Sequence, residues 1–244
     1  MKRKAIITSI SGTTLTHKER KLIRNEKPWG IILFKRNITK LTQVKDLVKR
    51  IRVAAQDKNF PILVDEEGGT VSRISELLDN KIYSQKFFGD LFKVNKKIAF
   101  YLYKNYIFSI CAVLRLIGVN INTVPVLDIS KRNTHKVIGT RSFSEDKSII
   151  KTLGKLCCDT YKFNKISTVI KHIPGHGSSN LDSHKSTPKV NLSYKELLNN
   201  DFNCFKNVNS LLAMTAHIVY TKIDPYNVAT HSKLTELHYI NTKN

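Results

Sequence analysis

Short apolar, β-branched runs alternate along this chain with longer stretches in which apolar residues recur every three or four positions. The runs fall at residues 5–10, 30–34, 61–65, 121–128, 168–172 and 211–217. Their length and their polar or turn-forming borders suit strands. Between them, Leu41, Val44, Val48 and Ile51 mark one face of a helix, with Lys45, Lys49 and Arg50 on the other. Residues 98–116 form a second helical stretch, closed by Gly118, and residues 147–163 a third. Ser193 and Glu196 have the spacing of a capping box and open a fourth, with Leu197, Phe205 and Val208 inward.

Strand–helix alternation predicts an α/β protein with a parallel sheet. A closed barrel and an open doubly wound sheet both satisfy that pattern. The polar residues favour the barrel, because Asp65, Asp128, His172 and His217 each end a different predicted strand. Barrel enzymes draw their sites from that rim, using several strands at once. A dinucleotide fold would place a glycine fingerprint after the first strand, and residues 9–12, SISG, contain none. The expectation is a (β/α)8 TIM-type barrel, incomplete, with about six strand–helix units over residues 1–226 and an unstructured tail at 227–244.

Composition adjusts this picture in three places. Apolar residues make up 41% of the 244, enough for a sizeable core. The net charge of +22 invites a nucleic-acid reading. The lysines, however, are spread along the whole chain and no nucleic-acid-binding motif is visible, so nucleic acid is not the expected partner. A positive field would also favour a polyanionic or acidic-sugar substrate. The four cysteines, Cys111, Cys157, Cys158 and Cys204, form no CxxC pair and suit reduced thiols in the cytoplasm. Residues 1–10 superficially resemble a signal peptide, but the apolar run is short and no small-residue cleavage site follows. Lys104, Asn105 and Arg115 interrupt the most apolar stretch, which therefore reads as a buried helix and not a membrane span.

The densest chemistry lies at 171–188, KHIPGHGSSNLDSHKSTP. A histidine beside a carboxylate is a proton-transfer pair, and Asp182 lies two residues before His184. His172, His176, Asp182 and His184 could also supply metal ligands. Their spacing matches neither HExxH nor a finger pattern, so no metal and no cofactor is expected. At 64–73, VDEEGGTVSR, three consecutive acids end a strand. They cannot all be buried without neutralisation, so at least one should face a polar cleft, and Arg73 can pair with one of them. At 137–144, VIGTRSFS, Arg141 could bind a carboxylate, a phosphate or a sugar hydroxyl.

Taken together with GIILF at 30–34, NTVPVLDI at 122–129 and LLAMTAHIVYTKIDP at 211–225, these segments resemble glycoside hydrolase family 3, specifically its bacterial cytoplasmic β-N-acetylglucosaminidase branch in peptidoglycan recycling. The resemblance runs in order through residues 1 to about 226 and implies a retaining barrel hydrolase acting on terminal β-linked N-acetylglucosamine. It implies that His184 is the general acid/base and Asp182 its partner. Asp65, Arg73, Arg141, Lys171 and His172 would bind the sugar, with Met214 and His217 near the same pocket. The expected partners are N-acetylglucosamine-containing sugars, muropeptides among them.

Three departures stand out. Ile173 replaces a usual Phe, and Thr140 stands where an acid is common. The family's aspartate nucleophile lies in a strand-seven motif resembling GFxGVxxSDDL, and no such motif follows Pro225; residues 229–244 hold no aspartate. A retaining mechanism needs that covalent step, so the expectation is a chain that stops before its nucleophile and turns over poorly by itself. The alternatives are a non-catalytic sugar-binding remnant and a basic nucleic-acid-binding protein.

Overall fold

The structure, a computed structural model, describes residues 2–131, 138–179 and 187–235. In chain order the elements are β1 Lys4–Thr8, α1 His17–Glu26, β2 Pro28–Leu33, α2 Leu41–Ala55, β3 Ile62–Val64, α3 Gln85–Val94, α4 Lys96–Ile117, β4 Ile121–Asn122, α5 Lys147–Phe163, β5 Ser167–Ile173, β6 Lys189–Val190, α6 Tyr194–Asn199, β7 Leu212–Thr215 and β8 Val219–Tyr220. Six strands form one sheet in the order β1-β2-β3-β4-β5-β7, and every neighbouring pair is parallel. The sheet curls with helices on its outside, an incomplete TIM-type (β/α) barrel, as the alternation predicts. A second, two-stranded parallel sheet pairs β6 with β8, which the hydrophobic pattern did not indicate.

The principal core lies between the sheet and its helical shell. Leu33, Ile62 and Val64 from the strands meet Val44, Leu47 and Ile51 of α2, Ile107, Ile110 and Leu114 of α4, and Ile150 and Leu153 of α5. On the inner face Leu63, Ile121 and Val169 pack together, with Trp29, Ile32, Leu212 and Met214 partly buried against them. Among the described residues β1 and β7 are the edges of the curled sheet. β1 is correspondingly exposed over most of its length, while β3 is buried throughout.

Local chemistry explains the helix ends. Thr16 and Glu19 form a reciprocal capping box at the start of α1, as Ser193 and Glu196 do at α6. α4 ends at Gly118, whose φ of 81° lies in the left-handed region that favours glycine. By length and hydropathy α4 could cross a membrane; here Tyr103, Ile107, Ile110, Cys111 and Leu114 give it a buried face within the shell.

β4 is shorter than its sequence run. Only Ile121 and Asn122 pair as strand, and after Pro125, which has no N–H to donate, contact with β5 resumes as a single bridge from Val126 to Lys171. At the other end, Ala229 is buried and its amide donates to the Ile218 carbonyl at 2.7 Å. The segment expected to be tail thus begins with packed chain, and residues 236–244 lie outside the described residues.

Candidate active site

The three consecutive acids at the end of β3 part company. Asp65 turns towards the inner face, where its Oδ1 accepts from the Thr123 hydroxyl and lies 3.4 Å from Lys171 Nζ. Arg73 Nη2 stands 3.7 Å from its other oxygen. Glu66 is buried and turns back into its own loop. It accepts from Ser72 Oγ at 3.0 Å, the Arg73 and Ile74 amides at 2.8 and 3.0 Å, and Asn80 Nδ2 at 2.6 Å. Burial pushes its carboxyl up, and these four donors offset only part of that rise. Asn122 fixes the backbone beneath it, accepting from the Glu66 amide at 2.9 Å and donating to the Glu66 carbonyl at 2.9 Å.

Glu67 joins two cations that are far away in sequence. Arg141 grips it with two bonds, Nε to Oε2 at 2.7 Å and Nη2 to Oε1 at 2.9 Å. Lys171 Nζ stands 2.6 Å from Oε1. Burial alone would raise the Glu67 carboxyl, but Lys171 and Arg141 outweigh it and hold it at about 2. Burial likewise opposes the charge on Arg141, and Glu67 more than restores it, so that guanidinium lies above its ordinary range. Lys171 is 2% exposed, and it also donates to Thr123 Oγ1 at 3.0 Å. A buried ammonium needs such partners to stay charged.

His172, the next residue on β5, belongs to a second buried unit. Its Nδ1 lies 2.6 Å from Oδ2 of Asp128, a fully buried carboxylate. The other Asp128 oxygen accepts from the His176 amide at 2.6 Å. Burial opposes ionisation of Asp128, but His172 and the His176 contacts hold it below the usual carboxylate range. The His176 ring is itself buried, which lowers its affinity for a proton. Its Nδ1 has no hydrogen-bond partner among the described residues. A carboxylate held in this way by a backbone amide fixes the imidazole that it touches, so His172 presents its remaining ring nitrogen in a set direction.

The loops that carry these groups are tied down from outside. Gln85, the first residue of α3, donates to the Val126 and Arg141 carbonyls at 2.8 and 2.7 Å and accepts from the Val126 amide at 3.0 Å. Ser142 Oγ donates to the Asp128 carbonyl at 2.7 Å. Beyond β5, buried Asp201 accepts from the Ser178 amide at 2.9 Å and from Lys131 at 2.9 Å. Gly175 packs so closely on Asp201 that a Cβ would lie 2.7 Å from it, and its φ of +141° is one that L side chains rarely adopt.

This constellation sits at the C-terminal ends of parallel strands. The profile described as Glycosyl hydrolase family 3 N terminal domain matches residues 5–237. The chain belongs to that family. A beta-hexosaminidase of Bordetella parapertussis is 30% identical over 222 residues, which cover 90% of this chain and 62% of that protein. One from Idiomarina loihiensis is 32% identical, covering 90% and 66%. The chain therefore spans a little under two thirds of the length of these curated relatives. Among solved structures, native NagZ from Neisseria gonorrhoeae superposes with a TM-score of 0.88 at 26% identity, covering 96% of this chain and 68% of that one. The same Neisseria protein has been solved in complex with N-trifluoroacetyl-D-glucosamine.

Within this family 3 domain, the fold brings Asp65, Arg73, Arg141, Lys171 and His172 together. Met214 stands beside Lys171 in strand register on β7 and packs, half-buried, on the inner-face cluster. His217 is exposed, its ring 6.2 Å from that of His231. Asp182 and His184 lie outside the described residues. Among the described residues no three metal-ligating side chains gather. Sequence reasoning noticed the acid run without foreseeing that Glu67 would be the member that joins two distant cations, and it missed Thr123 and Gln85 altogether. Thr123 had no local signal, since it lies inside the predicted strand at 121–128, and only the observed strand, which ends at Asn122, leaves it at a strand end. Gln85 had none, because α3 itself went unread.

Proposed function

We propose that this domain binds the terminal β-linked N-acetylglucosamine of a glycan and contributes to its hydrolysis, with peptidoglycan fragments in the cytoplasm as the substrate. The observation that carries this reading is the convergence of Asp65, Arg141, Lys171 and His172, from three separate segments, at one end of a parallel sheet, with each side chain held by a buried partner. Asp65 supplies a short carboxylate suited to paired sugar hydroxyls. Arg73, Arg141 and Lys171 supply donors around it, His172 offers the ring nitrogen turned away from Asp128 as an acceptor, and Met214 supplies an apolar wall. Asp182 orients His184, which protonates the leaving oxygen and later accepts a proton from water.

Proton transfer contributes about 10²–10⁴-fold, well short of the roughly 10⁶-fold or more of a whole enzyme. The 244 residues taken alone are therefore expected to bind the sugar but to turn it over poorly. The test is titration of the purified chain with N-acetylglucosamine, followed by ligand-observed NMR, beside Asp65→Ala. A chromogenic β-N-acetylglucosaminide assay runs in parallel. Saturable binding that Asp65→Ala abolishes supports the reading. Undiminished binding by Asp65→Ala, or tight salt-sensitive binding to DNA with none to the sugar, overturns it.

A further inference from the structure

We propose that Glu67 sets this subsite for an uncharged sugar, by pairing with both Arg141 and Lys171 so that neither is left to recruit a carboxylate-bearing one. The inference rests on the sugar-binding reading above and goes beyond it, to the charge class of the ligand and the residue that chooses it.

The argument starts from the overall charge. At +22 the protein surrounds any cleft with a positive field, which by itself would favour acidic sugars. The site is arranged differently. Three cations, Arg73, Arg141 and Lys171, meet two carboxylates, Asp65 and Glu67, while Asp128 pairs with His172. Glu66 is set apart, closed in by the four donors of its own loop. Of the two carboxylates only Glu67 contacts two of the cations closely, Arg141 at 2.7 Å and Lys171 at 2.6 Å. Its side chain is 1% exposed, so it is a built-in counter-charge and not a surface group free to turn towards solvent. Held at about 2, it stays ionised at every pH at which the protein works.

A sugar hydroxyl carries no charge and is not repelled by Glu67. A sugar carboxylate would have to compete with Glu67 for Arg141 and Lys171 and would come to rest near two like charges. Like-charge juxtaposition is how sites reject a near-isosteric ligand. Removing the Glu67 charge leaves three cations facing Asp65 alone, and the preference should move towards the acid. At a separation of about 5 Å and an effective dielectric of about 20, one unit charge changes affinity by well over tenfold. A tenfold change in the ratio is therefore a modest threshold.

The experiment compares N-acetylglucosamine and D-glucuronate as probes by ligand-observed NMR titration, on the unmodified chain, Glu67→Gln and Glu67→Asp, with thermal unfolding recorded for each. The unmodified chain should bind N-acetylglucosamine at least tenfold more tightly than glucuronate. Glu67→Gln should shift that ratio at least tenfold towards glucuronate, and Glu67→Asp, which keeps the charge but shortens its reach, should move it only part-way and leave the order unchanged. A purely structural role would weaken both probes together, and that result, or an unchanged ratio in a folded Glu67→Gln, overturns the proposal. If Glu67→Gln does not fold, Glu67→Asp decides: its shorter reach should move the ratio part-way, and no movement counts against Glu67. Failure of the unmodified chain to bind N-acetylglucosamine overturns the functional reading instead. In that case glucuronate binding gained by Glu67→Gln still supports the charge assignment, and its absence overturns both.

Discussion

Replacing Asp128 with asparagine separates the charge of the buried Asp128–His172 unit from its shape. In the native protein the carboxylate accepts at both oxygens, from His172 Nδ1 at 2.6 Å and from the His176 amide at 2.6 Å. The His172 ring must therefore carry its proton on Nδ1 and offer Nε2 as an acceptor. An asparagine can satisfy the His176 amide with its oxygen only by turning its NH₂ towards His172, which forces the opposite tautomer. Hydrogen bonds to charged groups are worth about 1.5–3 kcal/mol. Some of that loss is offset because a fully buried charge is no longer desolvated. The net expectation for Asp128→Asn is a destabilisation of about 2 kcal/mol, roughly 4–8 °C in Tm for a domain of this size. The tautomer change should add about a tenfold loss of N-acetylglucosamine affinity, since His172 then presents a donor where it had presented an acceptor. The pH dependence has a definite sign. The Asp128 carboxyl titrates lower in the folded protein than its unfolded value of about 3.9. Its contribution is therefore present above about pH 4 and lost as pH falls through the folded value. The stability gap between the two proteins should narrow in acid and be widest near neutrality. Long-range ¹H–¹⁵N NMR of the His172 ring, with thermal unfolding at several pH values, measures both effects. An unchanged His172 tautomer in a folded Asp128→Asn protein would refute the reasoning, whatever the stability did.

Two further substitutions probe the supports of the site. Gly89 in α3 lies against the loop that carries Arg141: an added Cβ would sit 1.7 Å from the Phe143 carbonyl oxygen. Gly89→Ala should therefore destabilise the protein by about 1–3 kcal/mol through overpacking and also weaken sugar binding, measured by thermal unfolding and titration. A neutral outcome in both would show that α3 does not anchor that loop. Asn122→Ala removes both bonds to the Glu66 backbone and its donor to the Tyr161 hydroxyl at 2.9 Å. It should cost about 2–3 kcal/mol by leaving buried groups unpaired, and faster amide exchange at Glu66 than at remote sites would locate the damage.

Local pattern was enough to place six strands in the right order along the chain and to find α2, α4 and α5, because period-two and period-3.6 burial are properties of a few neighbouring residues. The Ser193–Glu196 capping box was legible for the same reason, and the equal Thr16–Glu19 signature ahead of α1 was there to be read. α3 was harder: its run QKFFGDLFKV carries Gly89 in the middle, a residue that weakens a helix unless packing demands it, and here Phe143 does. The sequence also placed Asp65, Asp128 and His172 at strand ends, which is as far as one-dimensional information reaches. It determined that the three acids at 65–67 could not all be buried uncompensated. It did not determine that Asp65 would face Lys171, 106 residues away, or that Glu66 would close its own loop. Nor did it determine that Glu67 would meet Arg141, 74 residues away. Those assignments depend on which strands lie side by side once the sheet curls, and the low dielectric that makes each pairing matter exists only after the chain has folded around it.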